Sequence, residues 1–209
     1  TDIAHAEVGG DDAPRIHRAW GIARGGTDID LALSLSSYMP LFGRGITRVP
    51  AHHYVEAATV QDMTRQREFR LHKYDHVDAP WGERLQALQD TGNTARLYRD
   101  VERAKIALSA ASEHRSTLDY IARDLHADSS ADGLAAAAHG YLEQIREMLA
   151  QVRSDIGGDP DAVFLTGGMS RAGYLRQAVA AAFPGARMVH GEPSLGVVQG
   201  LALAAASQD

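Results

Sequence analysis

The sequence contains no cysteine among its 209 residues. Disulfide bonds, thiolate metal sites and cysteine nucleophiles are therefore excluded. Aromatic residues make up only 6% of the chain. No apolar run approaches the roughly 18 residues that a membrane-spanning helix needs, and no basic and apolar leader marks secretion. The sequence therefore predicts a protein without a membrane partner, and the cytoplasm is its expected location.

Positive charge is in the minority, with 21 Lys and Arg against 27 Asp and Glu and a formal net charge of -6. No cluster of basic residues forms a stripe that would follow a phosphate backbone. Residues 67–76 mix basic and aromatic side chains, but the segment is too short to line a groove, and we interpret it as part of a protein-binding surface. Nucleic acid is therefore not an expected partner.

The first forty residues predict a hairpin followed by a helix. Residues 1–8 and 15–23 have extended patterns, and the glycines, aspartates and proline between them are typical of a turn. The next segment is rich in apolar residues, and Thr27 and Asp28 are candidate helix caps. We expect this helix to start near Thr27 and to be ended by Pro40 and Gly43.

The middle of the chain is more polar. Residues 46–93 carry many charged side chains and are expected to form helices and loops. Residues 94–112 have apolar positions at helical spacing and predict an amphipathic helix with Thr94 as a possible N-cap. Three polar residues share a neighbouring face of this helix, which is either solvated or turned to a ligand: Glu102, Lys105 and Ser109.

The C-terminal part predicts an α/β layer. Residues 116–122 could form a short strand, and residues 141–155 place their apolar side chains on one helical face. The last fifty residues then alternate strands and helices, an order that indicates parallel strands. The expected elements are a strand at 162–166, a helix at 172–183, a strand at 186–190 and a closing helix at 194–206.

Two adjacent glycines stand where a predicted strand turns into a helix. Gly167 and Gly168 would leave backbone N–H groups free at a helix start, where an anion is favoured. Their spacing matches neither a Walker loop nor a dinucleotide fingerprint, and a tight turn with nothing bound has about equal weight. Gly25 and Gly26 stand at a similar junction. Two such junctions favour a phosphate or nucleotide ligand.

Four segments of the chain resemble the second half of the ATPase domain of the heat shock protein 70 family, chaperones of the actin-like ATPase superfamily. They follow the family's order and cover nearly the whole chain, loosely between residues 44 and 93. The most specific pair is "ERAKIALS" with "LTGGMSR". The four segments are "TDIA" (1–4), "GGTDIDLAL" (25–33), "ERAKIALSA" (102–110), and "VFLTGGMSRAGYLRQAV" followed by "GEPSLGVVQGLALAA" (163–179 and 191–205).

The resemblance implies an α/β fold, the ribonuclease-H-like second lobe of an actin-like ATPase. Residues 1–26 and 124–209 would form the α/β subdomain, and residues 27–123 an inserted, mostly helical subdomain. The likeness extends to short bacterial members without a peptide-binding domain. The first ATPase lobe and a phosphate loop would precede Thr1, so we expect the chain to be a piece of a longer protein. Client or co-chaperone proteins are possible partners.

The resemblance also implies where ATP or ADP, with magnesium in the intact protein, would contact this chain. Gly167 and Gly168 would approach the ribose and α-phosphate, Arg171 the adenine, Glu102, Lys105 and Ser109 the ribose and base, and Gly25 and Gly26 the outer phosphates. The family's groups that hold magnesium and activate water lie before Thr1. No catalytic residue is therefore assigned, and the chain alone is expected not to hydrolyse ATP.

Three ligand-facing positions depart from the family pattern. Ile106 stands where many members have an arginine on the adenine, Met169 where a serine follows the glycines, and Ser194 where an aspartate caps the last helix. These residues predict a more apolar adenine pocket. They also keep open a non-enzymatic interaction module that lost its nucleotide. A lobe of a sugar or acetate kinase is a further alternative, which "ERAKIALS" argues against.

Histidines are concentrated between residues 52 and 76. His72 and His76 are four residues apart, and on a helix such a pair could bind a metal. His52 and His53 are adjacent in the same region, but the sequence shows no obvious third ligand. We therefore expect no metal site and place these side chains on a solvated face.

Overall fold

The computed structural model of the chain describes residues 1–9 and 15–191. These residues form six strands and eight α-helices, which confirms the mixed α/β class. The strands are β1 (Asp2–Glu7), β2 (Arg15–Gly21), β3 (Glu113–Thr117), β4 (His126–Ser130), β5 (Ala162–Leu165) and β6 (Arg187–His190). The helices are α1 (Gly26–Leu33), α2 (Ala51–Ala58), α3 (Met63–Leu71), α4 (Trp81–Gln89), α5 (Asn93–Ala107), α6 (Ala131–Ala137), α7 (His139–Ile156) and α8 (Gly173–Ala182). Among the described helices, none is long and apolar enough to cross a membrane.

The chain divides into two compact units. The first comprises Thr1–Gly26 and Gly140–Asp209, and the second comprises Thr27–His139. The sequence places the second boundary earlier, at residue 124. The structure moves it because β4 pairs antiparallel with β3 along its whole length and α6 follows β4 directly. These elements therefore belong with the second unit.

In the first unit, β1 and β2 form the expected antiparallel hairpin. Two hydrogen bonds attach this hairpin to α7. The indole N–H of Trp20 donates to Asp155 Oδ2 at 2.8 Å, and Thr1 Oγ1 lies 2.9 Å from Tyr141 Oη. Helix α7 extends from His139 to Ile156, within two residues of its predicted bounds of 141–155, and its apolar face is buried.

Strands β5 and β6 of the same unit pair in parallel, as the alternating pattern predicts. Helix α8 connects them, because parallel neighbours need a crossover rather than a tight turn. The pairing continues past the strands, where the Gly191 N–H donates to the Leu165 carbonyl at 2.9 Å. The predicted closing helix at 194–206, with Ser194, lies outside the described residues.

The second unit opens with a helix that starts earlier than the cap signals predict. Because α1 begins at Gly26, Thr27 and Asp28 lie inside its first turn rather than at the cap position. An acidic side chain in the first turn is still favourable, since it faces the positive end of the helix dipole. Asp28 therefore lies in the first turn of the helix rather than at the predicted cap position.

This helical segment ends at Gly43, one of its two predicted stops, but Pro40 does not interrupt it. One π-helical turn, Ser34–Tyr38, and one 3-10 turn, Met39–Phe42, continue it past Pro40. Proline is tolerated there because it occupies the start of the 3-10 turn, where its missing N–H has no helical partner to lose. The segment ends at Gly43, which has a φ of 95°.

Helix α5 confirms the amphipathic helix of the sequence, with different ends. Its N-cap position is Gly92, and Thr94 lies inside the first turn. The Thr94 hydroxyl donates instead to Oε1 of Gln66 at 2.7 Å, in a buried contact. The predicted cap was wrong because this tertiary partner takes the hydroxyl. The helix ends at Ala107 rather than at residue 112.

The polar region at 46–93 contains α2, α3 and α4, as helices and loops were expected there. The predicted strand at 116–122 is shifted. Strand β3 ends at Thr117, and Leu118 begins a turn that is closed by a hydrogen bond from its N–H to the Leu125 carbonyl. Side chains from these helices, from α1 with its 3-10 extension and from α5 form the buried core of the unit, including Ile29, Leu33, Phe42, Phe69, Leu85, Leu97 and Val101.

The predicted histidine pair is not on a helix. Helix α3 ends at Leu71, so His72 and His76 lie in the connection to α4. His76 is exposed, but His72 is half-buried, as is His53 on α2. The expected solvated face was therefore wrong for two of the four histidines.

Candidate functional site

The double glycine follows β5 at its carboxyl end. Gly167 has φ 83° and ψ 162°, a conformation that is open essentially to glycine alone. Ser170 holds this turn, because its hydroxyl donates to the Gly167 carbonyl at 2.7 Å and its N–H to the same oxygen at 3.1 Å. The serine thus closes the turn through a hydrogen bond from its side chain to the carbonyl three residues earlier, a local pattern typical of serine.

The glycines do not lead straight into an α-helix, as the sequence predicted. A 3-10 turn, Gly168–Arg171, comes first, and Ala172 has extended backbone angles before α8 begins at Gly173. The N–H groups beside the glycines therefore belong to a single short turn and not to the start of α8.

The space beside both glycines is open. A Cβ atom built on Gly167 or Gly168 would meet no atom of the described residues within 4 Å. Gly168 and Arg171 are exposed, while Met169 between them is half-buried. The structure thus brings Gly167, Gly168 and Arg171 together on one turn whose backbone a ligand could approach directly.

Helix α5 carries the second group of predicted residues. Glu102 and Lys105 are half-buried on the helix, whereas Ser109 lies in the turn beyond Ala107. Ser109 still follows the helical path, because its hydroxyl donates to the Lys105 carbonyl at 3.3 Å. Ile106 is 62% exposed, and it follows Glu102 by one helical turn.

Lys105 forms a buried ion pair that the sequence reasoning missed. Its Nζ lies 2.8 Å from Oδ1 and 2.9 Å from Oδ2 of Asp30 on α1. The side chain of Asp30 is 2% exposed and that of Lys105 is 13% exposed. Burial raises the pKa of the Asp30 carboxyl above its ordinary value, and the hydrogen bond and charge of Lys105 oppose that rise.

A signal for this pair was present in the sequence. Asp30 stands between Ile29 and Leu33, which occupy the buried face of α1. A carboxylate on an apolar helix face needs a partner, because an unpaired charge there is costly to desolvate. The spacing of Glu102 and Lys105 shows only that they are neighbours on one helix, and it does not reveal a partner on another.

The first double glycine is arranged differently from the second. Strand β2 ends at Gly21, and the Ile22 N–H still donates to the Thr1 carbonyl, so several residues separate the strand from Gly25. Gly26 is the first residue of α1, and both glycines are half-buried. The expected direct passage from strand through two glycines to helix was therefore wrong here.

The predicted residues belong to both units. The first unit contains Gly25, Gly26, Gly167, Gly168 and Arg171, and the second contains Glu102, Lys105 and Ser109. No family model matches the chain. The resemblance to the chaperone ATPases therefore rests on the sequence motifs.

Proposed function

We propose that this chain is a nucleotide-binding lobe of a heat shock protein 70-like ATPase, with a ribonuclease-H-like fold, that contacts the adenosine side of ATP or ADP. The observation that carries the proposal is the open turn at Gly167 and Gly168. It stands at the carboxyl end of a strand with a parallel neighbour, the position at which α/β sheets bind their ligands. Among the described residues, no atom lies within 4 Å of a Cβ built on either glycine, which leaves room for a ribose or an α-phosphate beside the turn.

Helix α5 supports the nucleoside part of this proposal. Ile106 offers an exposed apolar surface that a purine ring could cover. Glu102 precedes it by four residues, and a carboxylate can accept hydrogen bonds from ribose hydroxyls.

The proposed contact residues of this chain match the nucleoside better than they match a magnesium ion. The resemblance places the groups that hold the ion and activate water before Thr1, and the nucleotide-facing residues named here are backbone glycines, Glu102, Lys105, Ser109 and Arg171. The chain would therefore bind the nucleoside and α-phosphate and leave the γ-phosphate without catalytic groups. Purified chain should release no phosphate from ATP above background, and release that survives dilution would contradict this.

Calorimetric titration of the chain with ADP and with ATP tests the proposal. We expect saturable heat below about 1 mM nucleotide, and we expect Gly168→Val to abolish it. The valine side chain enters open space, so the fold should survive while the ligand's approach to the backbone is blocked. Gly140→Ala is the matched control, because that glycine also faces open space but lies on α7.

Saturable heat that Gly168→Val leaves unchanged would place the nucleotide elsewhere. No heat at millimolar nucleotide, together with no thermal stabilisation, would overturn the proposal. That outcome would favour the second candidate, an interaction module that kept the fold and lost the nucleotide. The observation favouring the module is that the ammonium group of Lys105 pairs with the Asp30 carboxylate. Their contact is 2.8 Å long and largely buried.

A further inference from the structure

Three histidines of the second unit meet at the junction of two helices. His52 and His53 lie on the first turn of α2, and His72 directly follows α3. Each residue offers one ring nitrogen, and these three nitrogens lie within 4.8 Å of one another. Among the described residues, these three histidines are the group whose ligand atoms lie close enough together to hold a metal ion.

Neighbouring side chains contact one ring nitrogen of His53 and one of His72, the two half-buried histidines of the group. The hydroxyl of Tyr74 lies 3.2 Å from Nδ1 of His53, and Oε2 of Glu56 lies 2.6 Å from Nε2 of His72. Metal-binding histidines commonly have such an outer partner, which orients the ring and leaves its second nitrogen for the ion. Nε2 of His53 and Nδ1 of His72 are the nitrogens that remain.

We infer that His52, His53 and His72 form a binding site for a divalent transition-metal ion of the zinc type. Neutral imidazoles bind Zn²⁺, Ni²⁺ and Cu²⁺ well, whereas Mg²⁺ and Ca²⁺ require oxygen ligands. Three histidines leave one position of a tetrahedral zinc ion for water. Because the His52 side chain is 64% exposed, this fourth position is open to solvent.

Binding requires one ring to turn. The rings of His53 and His72 are stacked, with centroids 3.5 Å apart and planes inclined by only 9°. A metal ion lies in the plane of each imidazole that binds it, so two parallel rings cannot share one ion. The χ2 torsion of histidine is broad, so the ring of His53 can turn about it. This rotation gives up the 3.2 Å contact of His53 with Tyr74 and leaves the 2.6 Å contact between His72 and Glu56 in place. The ring of His52 already stands across the stack, at 80° to His53 and 74° to His72.

A carboxylate lies beside the cluster. Oε2 of Glu56, whose side chain is 10% exposed, lies 2.6 Å from Nε2 of His72. A divalent cation would offset the negative charge of this buried carboxylate.

Titration of the tag-free chain with Zn²⁺, followed by calorimetry, tests the site. We expect one equivalent to bind, His72→Gln and His52→Gln each to weaken binding by at least about 100-fold, and Glu56→Gln to weaken it by about 10- to 100-fold. His126→Gln is the matched control, because His126 lies on the exposed edge of β4. Its affinity for zinc should equal that of the unchanged chain.

Co²⁺ gives a second readout that does not depend on stability. Bound by three imidazoles and water, it should give the visible absorption of a four- or five-coordinate ion, and His72→Gln should remove that absorption. Circular dichroism establishes that each variant is folded; if His72→Gln unfolds, His52→Gln on the exposed side replaces it in both measurements. Failure of the folded chain to bind Zn²⁺ at 100 µM, or binding that survives both histidine substitutions, would overturn the inference. Nucleotide titration is independent of this site, so the two proposals can fail separately.

Discussion

Lys105 on α5 contacts both carboxylate oxygens of Asp30 on α1, at 2.8 Å and 2.9 Å, although the two residues are 75 positions apart in the chain. The phenolic hydroxyl of Tyr98, about two helical turns before Lys105, also lies 3.5 Å from Asp30 Oδ2. The pair therefore joins the first and fifth helices of the second unit through a charge that is almost fully buried. Removing this ion pair should lower the free energy of unfolding even when no ligand is bound.

Substitution of Lys105 by methionine should lower the free energy of unfolding by about 3–5 kcal/mol at neutral pH, because it leaves the Asp30 carboxylate buried without its partner. Urea denaturation measures this loss. The double variant Lys105→Met with Asp30→Asn should recover part of it, because the buried charge is then gone.

Arg103→Met is the matched control on the same helix. Arg103 pairs with Asp100 at 3.2 Å, but its side chain is 72% exposed, so its loss should cost less than about 1 kcal/mol. Equal losses for the Lys105 and Arg103 variants would show that the burial of the Asp30 pair adds nothing.

The cost of the Lys105 substitution should depend on pH. The pKa of Asp30 is raised in the folded protein, so the folded state binds this proton more tightly, and stability is lost as pH rises through that raised value. Without Lys105 the pKa rises further, and the window extends to higher pH. The deficit of Lys105→Met should thus be smaller near pH 4.5 than near pH 7.5. A deficit that is constant across this range would contradict the assignment.

Tyr38→Phe should cost about 1–3 kcal/mol, because it removes a hydroxyl that lies 2.8 Å from Ser116 Oγ in the buried core. Both side chains are less than a tenth exposed. Ser116→Ala is the partner variant, and the double variant should cost less than the two single losses added together. Strict additivity in thermal or urea unfolding would show that the two hydroxyls are not coupled.

Gly167→Ala and Gly168→Ala should behave differently although the two glycines are neighbours. Gly167 has a φ of 83° in a region that alanine rarely adopts, so its substitution should cost about 1–3 kcal/mol. Gly168 lies in the 3-10 turn and faces open space, so alanine should be neutral or slightly stabilising there. Thermal unfolding of both variants decides this, and equal effects would count against the conformation assigned to Gly167.

The sequence predicts those parts of the fold that depend on local pattern. The β1–β2 hairpin, α5, α7 and the parallel pair β5–β6 follow from hydrophobic spacing and turn residues, and they form within about two residues of the predicted bounds at most of their ends. The pattern fails where a distant partner competes. Thr94 gives up its capping position because Gln66 takes its hydroxyl, a contact across 28 residues.

The candidate sites show the same limit. Gly167 could be recognised because a glycine after a strand is a local signal, whereas Asp30 and the meeting of His53 with His72 required knowledge of which helices pack together. The sequence suggested His76, four residues after His72, as the second ligand of a metal-binding pair. The partners come instead from α2, nineteen and twenty positions earlier. Side-chain clusters of this kind are a property of tertiary packing and leave no periodic trace.

The division of the chain into two units has a spectroscopic consequence. The chain contains two tryptophans, and the division into units gives one to each, Trp20 on β2 in the first and Trp81 at the start of α4 in the second. Trp20 donates to a carboxylate on α7, while Trp81 begins a helix of the other unit. Each unit therefore carries its own intrinsic fluorophore, and replacing either indole with phenylalanine leaves an optical probe that reports the melting of a single unit.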